Sequence, residues 1–462
     1  MKTRLLLVLL LGGLTLKARP ELPNLIVIMA DDLGYGDLGC YGGKHWSTPN
    51  IDRLAREGMR FTDFHSSGPV CSPTRAGLLT GRYQQRAGVP GVVYAAFNRN
   101  RHHGLQLQEV TFAEVLKAHG YQTGAFGKWH LGYEEKYNPV HQGFDRYVGY
   151  VSGNVDYQTH IDGAGVFDWW HQNRHSDEPG YTTKLIGRHA VEFVKANRGR
   201  PFCLYVAHEA PHDPYQGPDD LPVRKEGDAK LLYDHREPAH ALRAYREMMI
   251  ELDKTVGDLV QAVRAAGLEK RTLILFFSDN GATGPGDTGG LYGMKGTLWE
   301  GGHRVPCIAW WPGMVAAGGV SEQLAFTVDV MATLLDAAGV EASEERKLDG
   351  MSLLSVMRSG KALGARRIFW QYEEATAMRD GDWKLVVQGG RPNPRLLNYP
   401  HISWKRPQDG RHELALFNLA DDRNEVTNLA DRHPERVAGM RRAISAWLSE
   451  VREGATLQPD RP

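Results

Sequence analysis

Side chains able to bind a cation or move a proton follow four predicted strands of this chain. Each set stands where an apolar, β-rich run ends. In an open α/β sheet, ligands bind just beyond the carboxyl ends of the strands, at one edge of the sheet. We therefore expect these side chains to lie close together. They are Asp31, Asp32, Lys128, His130, His208, Asp279 and Asn280.

Four of these residues offer only oxygen ligands, namely Asp31, Asp32, Asp279 and Asn280. Carboxylate and amide oxygens suit Ca²⁺ or Mg²⁺ better than Zn²⁺, which prefers nitrogen and sulfur. Three carboxylates packed together without a cation would raise the pKa of at least one of them. Asp and Asn are also common in turns, so each pair could simply cap a turn. Residue types alone leave both interpretations open.

Residues 34–39 read G-Y-G-D-L-G and follow a predicted strand, as a dinucleotide-binding motif does. However, Asp31 and Asp32 would lie beside the pyrophosphate and repel it. No apolar-periodic helix starts at the third glycine. We therefore reject a nucleotide-binding function for this motif.

The most specific local pattern is Cys71-Ser72-Pro73-Thr74-Arg75, continued by L-T-G-R at residues 79–82. It resembles the C-x-P-x-R and L-T-G-R segments of type I sulfatases, which belong to the alkaline phosphatase superfamily. A buried cysteine at a helix start is the alternative. Further segments resemble the same family in the same order, from about Asn24 to Asp422. They are Asp31-Asp32, G-K-W-H-L-G at 127–132, H-E-A-P-H at 208–212, S-D-N-G at 278–281 and K-G-T-L-W-E-G-G at 295–302. His303 departs from the family pattern, in which a less polar residue is common at that position.

The resemblance implies a mechanism. Cys71 would be oxidised to formylglycine by a maturation enzyme before folding, and one Ca²⁺ per chain would be held by residue 71 with Asp31, Asp32, Asp279 and Asn280. A hydroxyl of the hydrated aldehyde would attack sulfur. His208 would protonate the leaving alcohol, and His130 would take a proton from the second hydroxyl and so release sulfate. Arg75, Lys128 and Lys295 would hold the sulfate oxygens or the nucleophile.

A sulfated carbohydrate is the substrate that the resemblance favours, because A-P-H-D-P-Y-Q-G-P at residues 210–218 resembles bacterial polysaccharide sulfatases. Residues 91–108, with Arg101 and Phe97, and residues 151–181, with His160, could bind the sugar or be ordinary loops. Two rivals are a phosphoesterase on the same fold and a catalytically silent sulfated-glycan binder. The former usually has Thr or Ser as nucleophile and two metals. Which sugar is desulfated, and whether attack is exo or endo, stays open.

The elements that must position these residues alternate between strands and helices. Strands are predicted at residues 24–30, 122–126, 202–207 and 272–278, and helices at 49–58, 112–119 and 239–266. Alternation of this kind is typical of an α/β domain with a mostly parallel central sheet flanked by helices. We assign residues 19–365 to this catalytic domain. Residues 366–462 are predicted to form a smaller α+β subdomain, with antiparallel strands at 368–372, 383–387 and 413–418 and a helix at 435–451.

Composition and the first residues of the chain bear on its partners and its cellular location. The 462 residues include 55 basic and 55 acidic ones, and this balance gives no reason to expect a nucleic acid partner. Lys2 and Arg4 precede an apolar run at residues 5–16, which predicts a signal peptide at residues 1–18 and a periplasmic or secreted protein. The run is too short for a membrane anchor. If Cys71 is converted to formylglycine, three of the four cysteines remain, so at most one disulfide can form. The oligomeric state stays open.

Overall fold

The computed structural model describes residues 22–96, 99–342, 346–391, 399, 401 and 413–459. The predicted signal peptide at residues 1–18 and Phe97 lie outside the described residues. Among the described residues, no helix combines the length and the apolar character that crossing a bilayer requires.

The described residues form sixteen strands, arranged in a ten-stranded sheet, a four-stranded sheet and a two-stranded sheet of β3 and β12. The strands are β1 (Asn24–Ala30), β2 (Met59–Phe61), β3 (Phe64–His65), β4 (Gln122–Lys128), β5 (Arg146–Tyr150), β6 (Trp170–His171), β7 (Arg174–His175), β8 (Phe202–Ala207), β9 (Thr272–Ser278), β10 (Cys307–Trp310), β11 (Gly319–Ser321), β12 (Ala325–Phe326), β13 (Arg367–Tyr372), β14 (Ala375–Asp380), β15 (Trp383–Val387) and β16 (Leu414–Asn418). The helices are α1 (Pro49–Glu57), α2 (Cys71–Thr80), α3 (Phe112–Ala118), α4 (Thr182–Ala196), α5 (Pro238–Ala265), α6 (Glu300–His303), α7 (Asp329–Ala338), α8 (Leu354–Ser359) and α9 (Pro434–Arg452).

The main sheet has ten strands in the order β11-β2-β10-β9-β1-β8-β4-β5-β6-β7. Its centre, β9-β1-β8-β4-β5, is entirely parallel, and antiparallel pairs occur only toward the two edges. The strands β1, β8 and β9 are buried at every residue, as strands covered on both faces must be. The predicted α/β fold with a mostly parallel sheet flanked by helices is confirmed.

Helices cover the sheet on both faces, and the alternation of side chains along β1 assigns them. Leu25, Val27 and Met29 pack into the core shared with α2, α3 and α7. Ile26 and Ile28 face the other way, into the core shared with α1, α4 and α5. An extended strand directs successive side chains to opposite faces, so a single apolar run anchors both layers.

Strand register brings the predicted reactive positions to one edge. Ala30 pairs with Ser278, and Met29 pairs with Ala207. Gly127 of β4 also pairs with Ala207. The residues that follow β1, β4, β8 and β9 therefore leave the sheet at the same level.

A separate four-stranded antiparallel sheet, β13-β14-β15-β16, carries α9 on one face. Its other face packs against the main body, where Trp370 and Phe417 share a core with Trp299 and Phe326. The predicted antiparallel sheet plus helix is present. The domain boundary between residues 365 and 366 stays a prediction, two residues before β13 begins.

Local sequence explains most element limits. Helix α3 starts with a capping box in which Thr111 and Glu114 bond each other's backbone N–H groups.

Strand β14 was not predicted because A-T-A-M-R-D is neither an apolar run nor a strict alternation. Its Arg379 is buried and paired with Asp63 instead. All four cysteines are free thiols, so no disulfide forms.

Candidate active site

Asp31 and Asp32 leave the end of β1 and are fully buried. Asp32 has a positive φ of 62°, a left-handed conformation that Asp adopts more readily than most residues. Its backbone N–H donates to Asp279 Oδ1 at 3.2 Å. This turn directs the two neighbouring carboxylates to different partners instead of to opposite faces of a sheet.

Asp279 and Asn280 follow β9 and meet the first pair directly. Asn280 Nδ2 donates to Asp32 Oδ1 at 2.7 Å. Gly281 N donates to Gly302 O, and a side chain at position 281 would collide with the backbone of residue 301. The loop after β9 therefore fits only with glycine at this position.

Cys71 is the first residue of α2, whose ten residues are all buried. Its Sγ lies 3.5 Å from Asp31 Oδ1 and 3.4 Å from Lys295 Nζ. Pro73 and Thr74 shape the helix start, since Thr74 Oγ1 accepts from Gly68 N and donates to Gly68 O. The cysteine thus projects from a helix N-terminus into a cluster of charged groups.

Three cations surround the carboxylates. Lys128 Nζ lies 2.5 Å from Asp31 Oδ2, and Lys295 Nζ lies 2.6 Å from Asp32 Oδ1. Arg75 donates to Asp279 Oδ2 at 2.8 Å and to the Lys128 carbonyl at 3.0 Å. Charges buried at this depth persist only when paired. Position 71 is therefore bordered by fixed positive charge.

The pKa shifts follow from burial and from these neighbours. Burial would raise the pKa of Asp31, but Lys128, His212 and Arg75 outweigh burial and lower it. For Asp279, burial and the adjacent Asp31 raise the pKa despite Arg75. The carboxylate group therefore still favours additional positive charge.

The donor set fits a divalent cation. Two buried acceptors, Asp32 Oδ2 and Asn280 Oδ1, have no hydrogen-bond partner among the described residues. Ligand atoms of Asp31, Asp32, Cys71 and His212 lie within 4.8 Å of one another. The oxygens of Asp31, Asp32 and Asn280 match the preference of Ca²⁺ for hard oxygen donors, whereas the sulfur of Cys71 and the ring nitrogens of His212 do not.

His130 lies at the end of the segment after β4, in a left-handed conformation with φ 57°. Its Nε2 bonds the Val93 carbonyl at 2.9 Å, which makes Nε2 the protonated nitrogen. Nδ1 is buried without a hydrogen-bond partner in the described structure. Burial, with Lys128 and Arg75 nearby, holds the pKa of His130 well below its usual value, so Nδ1 carries a lone pair.

His208 is not brought into this cluster. It follows β8 on the same face as Leu204 and Val206, which pack toward α5. Its Nε2 lies 3.4 Å from Thr255 Oγ1 of α5. Burial alone lowers the pKa of His208 to about 3, and no charged group contributes to that shift.

His212, four residues later in H-E-A-P-H, occupies the position expected of His208. Its Nε2 lies 3.6 Å from Asp32 Oδ2. Burial and Lys295 lower the pKa of His212, but Asp32 and Asp31 outweigh them and raise it to about 9. Sequence reasoning missed this residue, although the second histidine of the motif was its visible signal.

The two loops proposed to bind sugar differ in their relation to the site. Arg101 lies over the Tyr133 ring at 4.2 Å and donates to the Ala95 carbonyl, in the loop whose Val93 contacts His130. His160 stacks on Trp169 at 4.5 Å and bonds the Gly180 carbonyl. His160 is buried there, and none of these contacts joins it to the charged cluster.

The glycine motif has a packing explanation. Side chains at Gly34 or Gly36 would collide with the backbone of residues 287 and 289. Asp37, inside the motif, accepts hydrogen bonds from Gly34 N, Trp46 Nε1 and Tyr245 Oη. The glycines of the motif therefore allow two loops to pack closely together.

His303 belongs to a second buried charge cluster, beneath the C-terminal sheet. We call it the buried ion-pair network. Lys384 Nζ lies 2.8 Å from both Glu300 Oε1 and Glu425 Oε1 and 3.0 Å from His303 Nε2. Its members are Asp63, His65, Glu300, His303, Arg304, Arg379, Lys384 and Glu425.

Sequence comparison gives matches along most of the chain. A family model described as Sulfatase matches residues 23–340, and one described as N-sulphoglucosamine sulphohydrolase, C-terminal, matches residues 290–453. The chain is 34% identical to the N-acetylgalactosamine-6-sulfatase of Canis lupus familiaris, over 82% of this chain and 74% of that protein. It is 39% identical to the arylsulfatase A of Homo sapiens, over 92% and 86% respectively.

Structural comparison gives the same result. The crystal structure of Ps i-CgsB in complex with k-i-k-neocarrahexaose superposes with a TM-score of 0.79 and 27% sequence identity, covering 95% of both chains.

Proposed function

Since the chain belongs to the sulfatase family, we propose that it hydrolyses sulfate esters of a carbohydrate with a formylglycine at position 71 and a bound calcium ion. The observation that carries the proposal is the set of contacts around Cys71. The thiol lies within 3.5 Å of both an acidic cation-binding group and the ammonium of Lys295.

A calcium ion and a formylglycine would complete the site. Asp31, Asp32, Asp279, Asn280 and residue 71 would hold the calcium ion, which supplies positive charge beside the nucleophile. Formylglycine supplies, as its hydrate, a hydroxyl nucleophile and a second hydroxyl whose deprotonation releases sulfate. An unmodified thiol offers no such elimination.

The cationic side chains would bind the sulfate group. Lys295 lies between Asp32 and position 71, where its ammonium can contact both the nucleophile and a sulfate oxygen. Lys128, paired with Asp31, adds a second charge. Arg75 donates to Asp279 and to the Lys128 backbone, so it orients these groups. Preorganised charges stabilise negative charge as it grows on the sulfuryl oxygens.

Two histidines would move the protons. His130 accepts one at Nδ1, because Nε2 is occupied by Val93. We assign the general acid to His212 and withdraw His208 from that role. His212 Nε2 faces the cluster beside Asp32, whose carboxylate raises the pKa of His212, and a protonated His212 would donate from Nε2 to the leaving alcohol.

A sulfated carbohydrate is supported by two relatives. One is named an N-acetylgalactosamine-6-sulfatase, and the other was crystallised with k-i-k-neocarrahexaose. In this chain, Tyr94, Arg99 and Arg101 lie in the loop whose Val93 carbonyl contacts His130, and aromatic and guanidinium groups suit a charged sugar. The pattern in residues 1–18 supports export to the periplasm or medium, and a formylglycine-generating enzyme would be the maturation partner.

Mass spectrometry of the peptide that contains position 71, combined with sulfate release from a panel of sulfated sugars, tests the proposal. We expect an aldehyde mass at position 71, sulfate as the product and no phosphate from matched phosphate esters. Cys71→Ser, which no longer carries the thiol, should lose activity while folding normally. A fully active protein with an intact thiol would contradict the mechanism, and faster phosphate release would favour a phosphoesterase.

A further inference from the structure

A segment far along the chain holds the base of the loop next to the active site. We call residues 88–96 and 99–104 the pocket loop and residues 454–459 the strap. The loop begins at Gly88 and ends at Gly104, and both ends lie against the strap. The strap follows α9, so it reaches the loop from the C-terminal part of the chain.

One side chain of the strap, Gln458, contacts both ends of the loop. Its Nε2 donates to the Gly88 carbonyl at 2.7 Å and to the Gly104 carbonyl at 2.8 Å. Its Oε1 accepts from Gly104 N and from Gln106 Nε2, each at 3.0 Å. A primary amide can satisfy both carbonyls and both donors at once, because it carries two N–H groups and one acceptor oxygen.

A second strap residue, Thr456, fixes the position of Gln458. Thr456 N donates to the Arg86 carbonyl at 3.0 Å, and Thr456 Oγ1 lies 2.5 Å from Glu109 Oε1. Gly88 approaches the Thr456 carbonyl so closely that a Cβ at position 88 would lie 2.3 Å from it, and its φ is 78°. The strap is therefore packed against the loop base over several residues.

The pocket loop connects this base to the catalytic groups. The Val93 carbonyl accepts from His130 Nε2, and Val93 N donates to Ser72 Oγ, next to Cys71. At the other end, Gly104 forms a β-bridge with Gly132, two residues after His130. The order of the loop and the shape of the pocket wall are thus linked.

We propose that Gln458 is a positioning residue that preorganises the pocket loop for the sugar part of the substrate. This inference rests on the proposed function, because it needs a sugar that contacts the loop. Without the amide, binding must supply the ordering of the loop, so the apparent affinity falls. A bound sugar restores the order of the loop, and with it the contact of Val93 with His130, so turnover of the sugar is preserved.

Steady-state kinetics of Gln458→Ala tests the inference, with a sulfated disaccharide and a small aryl sulfate compared. Losing hydrogen bonds worth about a factor of three to ten in affinity should raise KM for the sugar by that factor. The kcat for the sugar and the KM for the aryl sulfate should stay unchanged. Leu457→Ala is the matched control, because Leu457 is 82% exposed in the same strap. An equal change with both substrates, or none relative to Leu457→Ala, would overturn the inference.

The Gln458→Glu variant tests the donor role of the Gln458 amide by the direction in which KM changes. Its carboxylate keeps an acceptor but turns an oxygen toward the carbonyls of Gly88 and Gly104. We expect a rise in KM for the sugar at least as large as that of the alanine variant. Recovery of the original KM in Gln458→Glu would contradict the proposed donor role.

Amide hydrogen exchange separates this inference from the proposed function, since it needs no activity. In Gln458→Ala the amides of Val93 and Tyr94, which donate to Ser72 Oγ and Asn100 Oδ1, should exchange faster, while those of β1 stay protected. Unchanged exchange in the loop would overturn the inference even in an active enzyme. If no sulfate is released by the unaltered protein, the proposed function fails, and the exchange result still decides whether Gln458 orders the loop.

Discussion

Two largely buried charge clusters lie within one molecule, and each combines three carboxylates with three lysine or arginine side chains. Around position 71, three carboxylates face three cations. The buried ion-pair network beneath the C-terminal sheet also combines three carboxylates, Asp63, Glu300 and Glu425, with three cations, Arg304, Arg379 and Lys384. Charge balance is a condition for burying either cluster, because an unpaired buried charge costs several kcal/mol.

The clusters differ in how fully their buried acceptor atoms are partnered. Among the described residues, the active site includes three acceptors without a hydrogen-bond partner, on Asp32, His130 and Asn280, and two residues with positive φ, Asp32 and His130. The network also has a residue with positive φ, Glu425, but Lys384 Nζ lies 2.8 Å from Glu425 Oε1, and Trp370 stacks on His303. Balanced charge therefore does not identify a catalytic site. Buried acceptors left without a partner are the more informative sign, because left-handed backbone occurs in both clusters.

Replacing His212 should give the largest effect and sharpen the contrast between the clusters. Because a general acid contributes about 10²–10⁴ in rate, His212→Asn should lower kcat by that factor for a sugar substrate. The loss should be smaller for an aryl sulfate, whose leaving group needs less protonation. Rates for both substrates measure this.

His208→Asn is the matched control, since it changes a histidine four residues away that contacts α5. It should retain most activity. If His208→Asn lost the rate and His212→Asn kept it, the acid would be His208 and the assignment made here would be wrong.

Removing one cation of the network should cost stability and leave catalysis alone. Lys384→Met leaves Glu300 and Glu425 without their shared partner and should reduce the free energy of unfolding by about 3–5 kcal/mol. Urea denaturation measures this, with the exposed Lys361→Met as control. A drop in kcat of the folded enzyme with unchanged stability would show that the two clusters do not differ as described.

Lys295→Ala should lower the rate of catalysis more than it lowers stability. Loss of a preorganised charge costs about 2.7–4 kcal/mol of transition-state stabilisation, or about 10²–10³ in rate. Stability should change less than in Lys384→Met, because Lys295 is partly exposed. Sulfate release by the folded variant is the measurement, and a change below about threefold would remove Lys295 from the site.

The smallest expected effect concerns pH. Burial lowers the pKa of His208 to about 3, below the value near 6.5 of an unfolded chain. Between these values the unfolded chain binds more protons, so the contribution of His208 to stability is lost as pH falls from about 6.5 toward 3. Melting temperatures from pH 7 to 4 should fall less steeply in His208→Asn. Identical slopes would contradict a buried neutral His208.

Sequence predicted the parts of the fold that depend on continuous apolar runs. Strands β1, β8 and β9 are buried on both faces, so their residues could be identified without knowledge of their neighbours. Because parallel strands end at one edge, the meeting of Asp31 with Asp279 also followed from sequence. The outcome for β14 differs, since Arg379 is buried only because a partner from a distant part of the chain neutralises it.

The histidine assignment shows a second limit. H-E-A-P-H contains two candidates; motif resemblance led to the prediction of His208, whereas the contacts in the structure favour His212. The choice depends on the direction of the first side chain after β8, which continues the alternation of that strand toward α5. Backbone geometry after the strand then returns His212 to the site. The position of the strap depends on packing of distant segments and has no sequence signal.

The pairing of Ala30 with Ser278 has a consequence for folding fidelity. Asp31 and Asp279 meet only when β1 and β9, almost 250 positions apart, align without slippage; a shift of β1 by one residue along β9 would move Asp31 away from its partner. A divalent ion bound there, as proposed, would stabilise only the aligned sheet, by an amount that grows with its concentration. Binding of the ion would therefore favour the correct alignment of the central strands over shifted alignments.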